Sequence, residues 1–114
     1  MESNYPKISA VMCTYGRFKC VERAMNCFFA QTYPNKELII FNTDVESKYC
    51  QGNAIDLGIT IINCAVDYVT NQPYTNVGAI RRDALTHAKG DYVVTWDDDD
   101  IFLPDHITQG VWGL

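Results

Sequence analysis

The residues of this chain best able to do chemistry gather in one string, Asp97 to Asp100, four consecutive carboxylates that follow YVVTW and precede Ile101 and Phe102. Adjacent like charges repel, and such a tetrad at the rim of a core calls for a compensating cation. Carboxylate oxygens select hard cations such as Mg²⁺ and Mn²⁺. Alternate residues of an extended segment point the same way, so Asp97 and Asp99 are expected to face one site and Asp98 and Asp100 the other side. One or two carboxylates with open coordination positions leave room for a diphosphate, the common way magnesium is held beside substrate phosphates. The competing reading is a solvated acidic turn or an isolated calcium loop, and four aspartates alone do not separate the two.

The elements that must position this tetrad are legible in the hydrophobic pattern. KISAVMC, Lys7 to Cys13, is a short continuous apolar run, as in a strand covered on both faces. From Phe18 to Gln31, apolar residues recur at three- and four-residue steps and predict an amphipathic helix, with Pro34 as its stop. Glu37 to Asn42 reads as a second buried strand, Thr43 to Gly58 as loop with one helical turn, and Ile59 to Val66 as a third strand. Asn76 can cap a helix running to about Ala88, closed by Gly90. Tyr92 to Trp96 is then the strand that delivers the tetrad, and Pro104 can open a last short helix at its first position. This order predicts an α/β, three-layer sandwich with a largely parallel sheet. Ligands of such sheets bind beyond the carboxyl ends of the strands, here Thr14 to Arg17, Asn42 to Asp44 and Asp97 to Asp100.

Composition narrows the partners. A chain of 114 residues suits one minimal domain, residues 1–114, with a real core. A net charge of −5 argues against nucleic acid, whose phosphates want a basic surface. No apolar run approaches the roughly 18 residues of a membrane span, and MESNYPK lacks the pattern of a signal peptide. The five cysteines, Cys13, Cys20, Cys27, Cys50 and Cys64, form no CxxC and sit in apolar contexts, which fits buried reduced thiols and a cytoplasmic location.

Taken together, ISAVMCTYGR, FFAQTYPNKELII, NVGAIRRDALTHAKGDYVVTWDDDD and LPDHI resemble the nucleotide-sugar-binding half of family-2 glycosyltransferases with the GT-A fold. The resemblance runs from Lys7 to Ile107 and implies a Rossmann-like half that binds a UDP-sugar with Mn²⁺ or Mg²⁺. Residue by residue, it puts Thr14 and Tyr15 at the nucleoside base and Arg81 near the diphosphate. Asp97 and Asp99 fall on the two acids of the DxD motif, and Asp100 on the acid that follows it. Arg17 and Asp98 complete the donor-contacting set. The family usually ends its second strand with Asp-Asp-Gly-Ser, whose first acid meets the uracil ring. Here Asn42 stands there, with Thr43 and Asp44 following, so an amide or Asp44 would take that contact. A hydroxyl acceptor would attack the anomeric carbon, with inversion if the chain follows most of the family, and Asp100, Asp105 or a second copy would supply the base.

The family's acceptor-binding half has no counterpart in these residues. That leaves a donor-binding module as the first alternative and a nucleotidyltransferase as the second, although no Gly-rich phosphate loop follows the first strand. His87 reads as a surface histidine and His106 as a packing residue before a metal or acid–base group. Trp96 reads as core, and Arg82 and Lys89 as solvated. An open sheet edge together with apolar Val111, Trp112 and Leu114 predicts self-association, most simply a symmetric homodimer.

Overall fold

The structure is a computed structural model that describes residues 5–49, 57–99 and 102–112. The strands are β1 (Ile8–Thr14), β2 (Lys36–Asn42), β3 (Ile59–Asn63) and β4 (Tyr92–Thr95). The helices are α1 (Phe18–Phe29), α2 (Val77–Leu85) and α3 (His106–Trp112). All pairings are parallel, in the order β3-β2-β1-β4. The chain therefore winds outward from β1 to β3, then crosses back through α2 to lay β4 on the other side of β1. That reversal makes the carboxyl ends of β1 and β4 a topological switch point, the usual position of a ligand crevice in an open α/β sheet.

The continuous apolar runs of β1 and β2 are explained by helices on both faces. On one face Ile8, Ala10, Met12, Leu38, Ile40 and Ile59 meet Val21, Ala24 and Phe28 of α1 and Ile107 of α3. On the other, Val11, Ile39 and Phe41 pack with Ala84 of α2. The expected three-layer α/β sandwich is what forms. β4 is the half-wet edge, with Tyr92 47% and Val93 44% exposed. Trp96, just past β4, is fully buried as expected for a core residue. Its indole N–H donates to the Ala24 carbonyl at 2.9 Å, and its ring stacks on Phe102 at 3.9 Å between centroids. This anchor sets where the chain leaves the sheet and the tetrad begins.

Several element ends differ from the sequence expectation. β3 stops at Asn63, because the backbone at Asp67 turns onto itself, with its N–H on the Gln72 carbonyl at 2.8 Å and Val66 bridged to Pro73. Asn76 does cap α2, accepting from the Ala79 N–H at 2.8 Å, but α2 ends at Leu85 rather than near Ala88. Gly90 therefore does not close that helix. It crosses the amino end of β1, where an added Cβ would lie 2.8 Å from both the Lys7 carbonyl oxygen and the Ser9 nitrogen. Pro104 sits in the turn before α3, which starts at His106. Arg82 is not simply solvated, since it pairs with Asp67 and Asp83. Val111 is half-buried against the first core cluster, so α3 lies on its own sheet there, whereas the Trp112 side chain and Leu114, also invoked for self-association, lie outside the described residues.

Candidate functional site

Register decides what meets the tetrad. β1 runs level with β2 so that Thr14 faces Asn42, and β2 with β3 so that Asn42 faces Asn63. β4 ends early, with Thr95 level with Val11, so three further residues bring the chain to the level of Thr14 at Asp98. There the Thr14 hydroxyl donates to Asp98 Oδ2 at 2.7 Å, and Arg17 Nη1 lies 3.7 Å from Asp98 Oδ1. Asp98 is 7% exposed, whereas Asp97 and Asp99 on either side of it are exposed. The inner acid of the tetrad thus ties the β1 loop to the β4 loop, and Asp97 and Asp99 face solvent, Asp97 in a wall that it shares with Arg81.

The β2 loop joins from the other side. Asn42 is fully buried. Its carbonyl Oδ1 accepts from the N–H groups of Gly16 at 3.2 Å and Asp44 at 3.1 Å. Its Nδ2 donates toward the Asp44 carbonyl, the Ser47 carbonyl and Asn63 Oδ1, each at 3.0 Å. The amide is thus committed to shaping the crevice wall. Gly16 adopts φ +63°, a conformation that favours glycine, and a Cβ there would press on the Asp44 carboxylate.

These loops border three neighbouring lobes of a cleft along the ends of β2, β1 and β4, the first two sharing Tyr15 and Thr43 and the last two Cys13 and Val77. An outer lobe of about 390 Å³ is lined by Tyr15, Thr43, Asp44, Pro73 and Tyr74, among others. A middle lobe of about 200 Å³ includes Thr14, Tyr15, Arg17 and Asp98, and an inner one of about 160 Å³ includes Cys13, Arg81 and Asp97. Burial pushes the Cys13 thiol up, against an opposing pull from Arg81 and a further push from Asp97. A larger apolar cavity of about 600 Å³, walled by Phe18, Val21, Met25, Ile40, Tyr49 and Ile61, lies between α1 and the sheet. Its polar lining is limited to Gly16, Glu22, Ser47 and Lys48 beside a mostly apolar wall and includes none of the tetrad, so the chemistry is assigned to the smaller lobes.

Of the other expected site residues, Asp100 lies outside the described residues. Asp105 is exposed in the turn before α3, its carboxylate accepting from Gln109 Nε2 at 3.2 Å. His106 packs its ring on Phe102 at 4.8 Å, and His87 is half-buried with its Nε2 2.8 Å from the Tyr68 hydroxyl. Among the described residues no group of three or more His, Cys, Asp or Glu is arranged to hold a metal. Two exposed carboxylates, Asp97 and Asp99, nevertheless suit a hard cation that takes its remaining oxygens from water and phosphate. The sequence reading missed Tyr74 and the carboxylates around it, Asp67 and Asp83. No local signal marks them, because the contacts that join loop to helix, Tyr74 to Asp83, Tyr68 to Asp83 and Arg82 to Asp67, span 9 or 15 residues.

Comparison with known proteins agrees with this geometry. The chain is 30% identical over 106 residues to WcaA of Escherichia coli K12, a glycosyl transferase named for colanic acid biosynthesis, covering 92% of this chain and 37% of that protein. It is 31% identical over 104 residues to the uncharacterized glycosyltransferase YwdF of Bacillus subtilis 168, covering 90% and 36%. The chain thus spans little more than a third of the length of these relatives. Among solved structures it superposes on Staphylococcus aureus TarS 1-349 in complex with UDP-GlcNAc, at TM-score 0.67 and 18% identity over 91% of this chain and 30% of that one. The mannosyltransferase PcManGT of Pyrobaculum calidifontis, in complex with GDP-Man and Mn²⁺, gives TM-score 0.66 and 20% identity over 95% and 32%. These likenesses establish the GT-A fold. No helix among the described residues is long and apolar enough to cross a membrane. The profile of glycosyl transferase family 2 matches residues 9–111, nearly the whole chain, and the chain belongs to that family.

Proposed function

We propose that this chain binds a nucleotide-diphosphate sugar, a UDP-hexose in the first instance, in the cleft along β2, β1 and β4, and serves sugar transfer to a hydroxyl acceptor. One observation carries the reading. The β1, β2 and β4 loops converge at the switch point, with Asp98 turned inward to tie β4 to β1, Asn42 joining β2 to β1, and Asp97 and Asp99 facing out. That arrangement turns two carboxylates to solvent, where a divalent cation would meet them, and supplies a cationic wall, Arg17 and Arg81, for phosphate. Tyr15, Thr43, Asp44 and Tyr74 line a lobe suited to a nucleobase.

Asp97 and Asp99 would hold Mn²⁺ or Mg²⁺, which as a Lewis acid offsets charge on a departing diphosphate. The chain's own residues do the rest. Arg81 orients the diphosphate, Arg17 and Thr14 keep Asp98 in place, and Asp44 accepts from a base N–H. In the transfer, an acceptor oxygen forms a bond to the anomeric carbon as the bond to the diphosphate oxygen breaks with its electron pair. Inversion follows from attack opposite the leaving group. The acceptor proton passes to a carboxylate, for which Asp100 and Asp105 are the candidates within these residues.

Because the chain spans little more than a third of its relatives, a second reading stands beside the enzyme, a donor-binding part of a larger glycosyltransferase. The free thiols of Cys13, Cys20, Cys27 and Cys64 support a reducing, cytoplasmic setting for either. Calorimetric titration with UDP, GDP and their sugars, in Mn²⁺ and in EDTA, tests the shared core of both readings. Cation-dependent nucleotide binding is expected. Donor hydrolysis in the same samples favours the enzyme, and no binding of any nucleotide would sink the proposal.

A further inference from the structure

The outer lobe of the cleft has two tyrosines in its wall, and they are held very differently. Tyr15 is 66% exposed. Tyr74 is half-buried, and its hydroxyl donates to Asp83 Oδ2 at 2.6 Å. The same oxygen accepts the Tyr68 N–H at 2.9 Å, while Asp83 Oδ1 takes Arg82 Nε at 2.9 Å. Arg82 also reaches Asp67, which in turn accepts the N–H groups of Val69 at 2.8 Å and Thr70 at 3.3 Å. Asp83 is 2% and Asp67 6% exposed, so this is a buried, well-satisfied network. From the sheet side, Phe41 meets the Tyr74 ring edge-on, at 6.2 Å between centroids and 74°.

A network that only tied the loop down would not need a ring in the cleft wall. Tyr74 contributes to the lining of the 390 Å³ lobe together with Tyr15 and Asp44. A ring fixed at its hydroxyl end and backed by another aromatic presents a pre-ordered apolar surface, which is what a planar heterocycle stacks on. We propose that Asp83 is a positioning residue for donor binding, holding the Tyr74 ring as the wall against which the nucleotide's base stacks. The proposal rests on the donor reading given above.

Its test is calorimetry on the full chain with three probes, UDP, GDP and inorganic pyrophosphate, all in Mn²⁺. Tyr74→Ala is expected to weaken both nucleotides roughly ten- to hundredfold, the range of base–aromatic stacking, and to leave pyrophosphate within about twofold. Tyr74→Phe keeps the ring and its packing on Phe41 and loses only the bond to Asp83. It should weaken the nucleotides about two- to tenfold, the net worth of one hydrogen bond. Asp83→Asn keeps one acceptor oxygen and loses the charge, so it should weaken the nucleotides no more than Tyr74→Phe does and add nothing in combination with it. If Asp83→Asn fails to fold, the Tyr74→Phe comparison decides alone. Unchanged nucleotide affinity in Tyr74→Ala, or an equal loss for pyrophosphate, overturns this proposal and leaves the donor reading standing. A native chain that binds pyrophosphate but no nucleotide overturns both.

Discussion

Asp98 and Asp99 are neighbours of the same chemistry, yet the structure gives them opposite effects on stability. Replacing Asp98 with alanine removes the acceptor of the Thr14 hydroxyl, 2.7 Å away in a buried setting. A hydrogen bond to a charged group contributes about 1.5–3 kcal/mol, and Thr14 is left buried without that acceptor. The Arg17 pair is 3.7 Å long with the arginine side chain 58% exposed, so it adds at most about 1 kcal/mol. Relief of repulsion from Asp97 and Asp99, both facing water, offsets about as much again. The net expectation for Asp98→Ala is a loss of about 1.5–3 kcal/mol. For a domain near this size that lowers Tm by roughly 6–12 °C. Asp99→Ala removes an exposed carboxylate from a residue whose backbone carbonyl lies 3.4 Å from Arg23 Nη2, a contact that the substitution keeps. Its melting temperature should match the native chain or exceed it slightly. Far-UV circular dichroism melts of the three proteins in EDTA give the answer free of any cation. A native-like Tm for Asp98→Ala, or a larger drop for Asp99→Ala, refutes the assignment of Asp98 as the tie between the β1 and β4 loops.

Three further outcomes are expected. UDP titrated in Mn²⁺ should bind and in EDTA should not, because diphosphate and carboxylates repel without a cation between them; equal affinities would remove Asp97 and Asp99 from the donor site. Gly90→Ala should cost about 1–3 kcal/mol in a urea melt, because the new Cβ meets not only the Ser9 hydroxyl, which can swing away, but also the Lys7 carbonyl oxygen and the Ser9 nitrogen, which cannot, and a midpoint equal to the native one would contradict that contact. Acid should weaken the fold through α2. The Arg82 hydrogen bond holds the Asp83 carboxyl down to about 2, and the Val69 N–H lowers Asp67. The unfolded chain then binds protons that the folded one excludes, so this stability is whole above the ordinary carboxylate range near 3.8 and drains as pH falls toward 2. Urea midpoints measured down that range should fall less in Asp83→Asn than in the native chain, and parallel curves would argue against the network.

The alternation of apolar strands and helical stripes was enough to predict the three-layer parallel sandwich, because pleat and helical period are local and leave their mark within a few residues. The same locality made Trp96 legible as core and Asn76 as a cap. The tetrad announced itself by composition, and its family context by the order of short strings around it. What the sequence left open was decided by contacts that span the chain. Asp98 faces inward because the register of β4 on β1 puts it level with Thr14, 84 residues away. Asn42 shapes the crevice because parallel pairing sets it between Gly16 and Asn63. Arg82, read as solvated, found Asp67 across a turn that no propensity marks, and Gly90, read as a helix end, answers instead to the backbone of β1. A residue's type tells what bonds it can make; which of them it makes is set by whichever strand or loop the topology brings beside it.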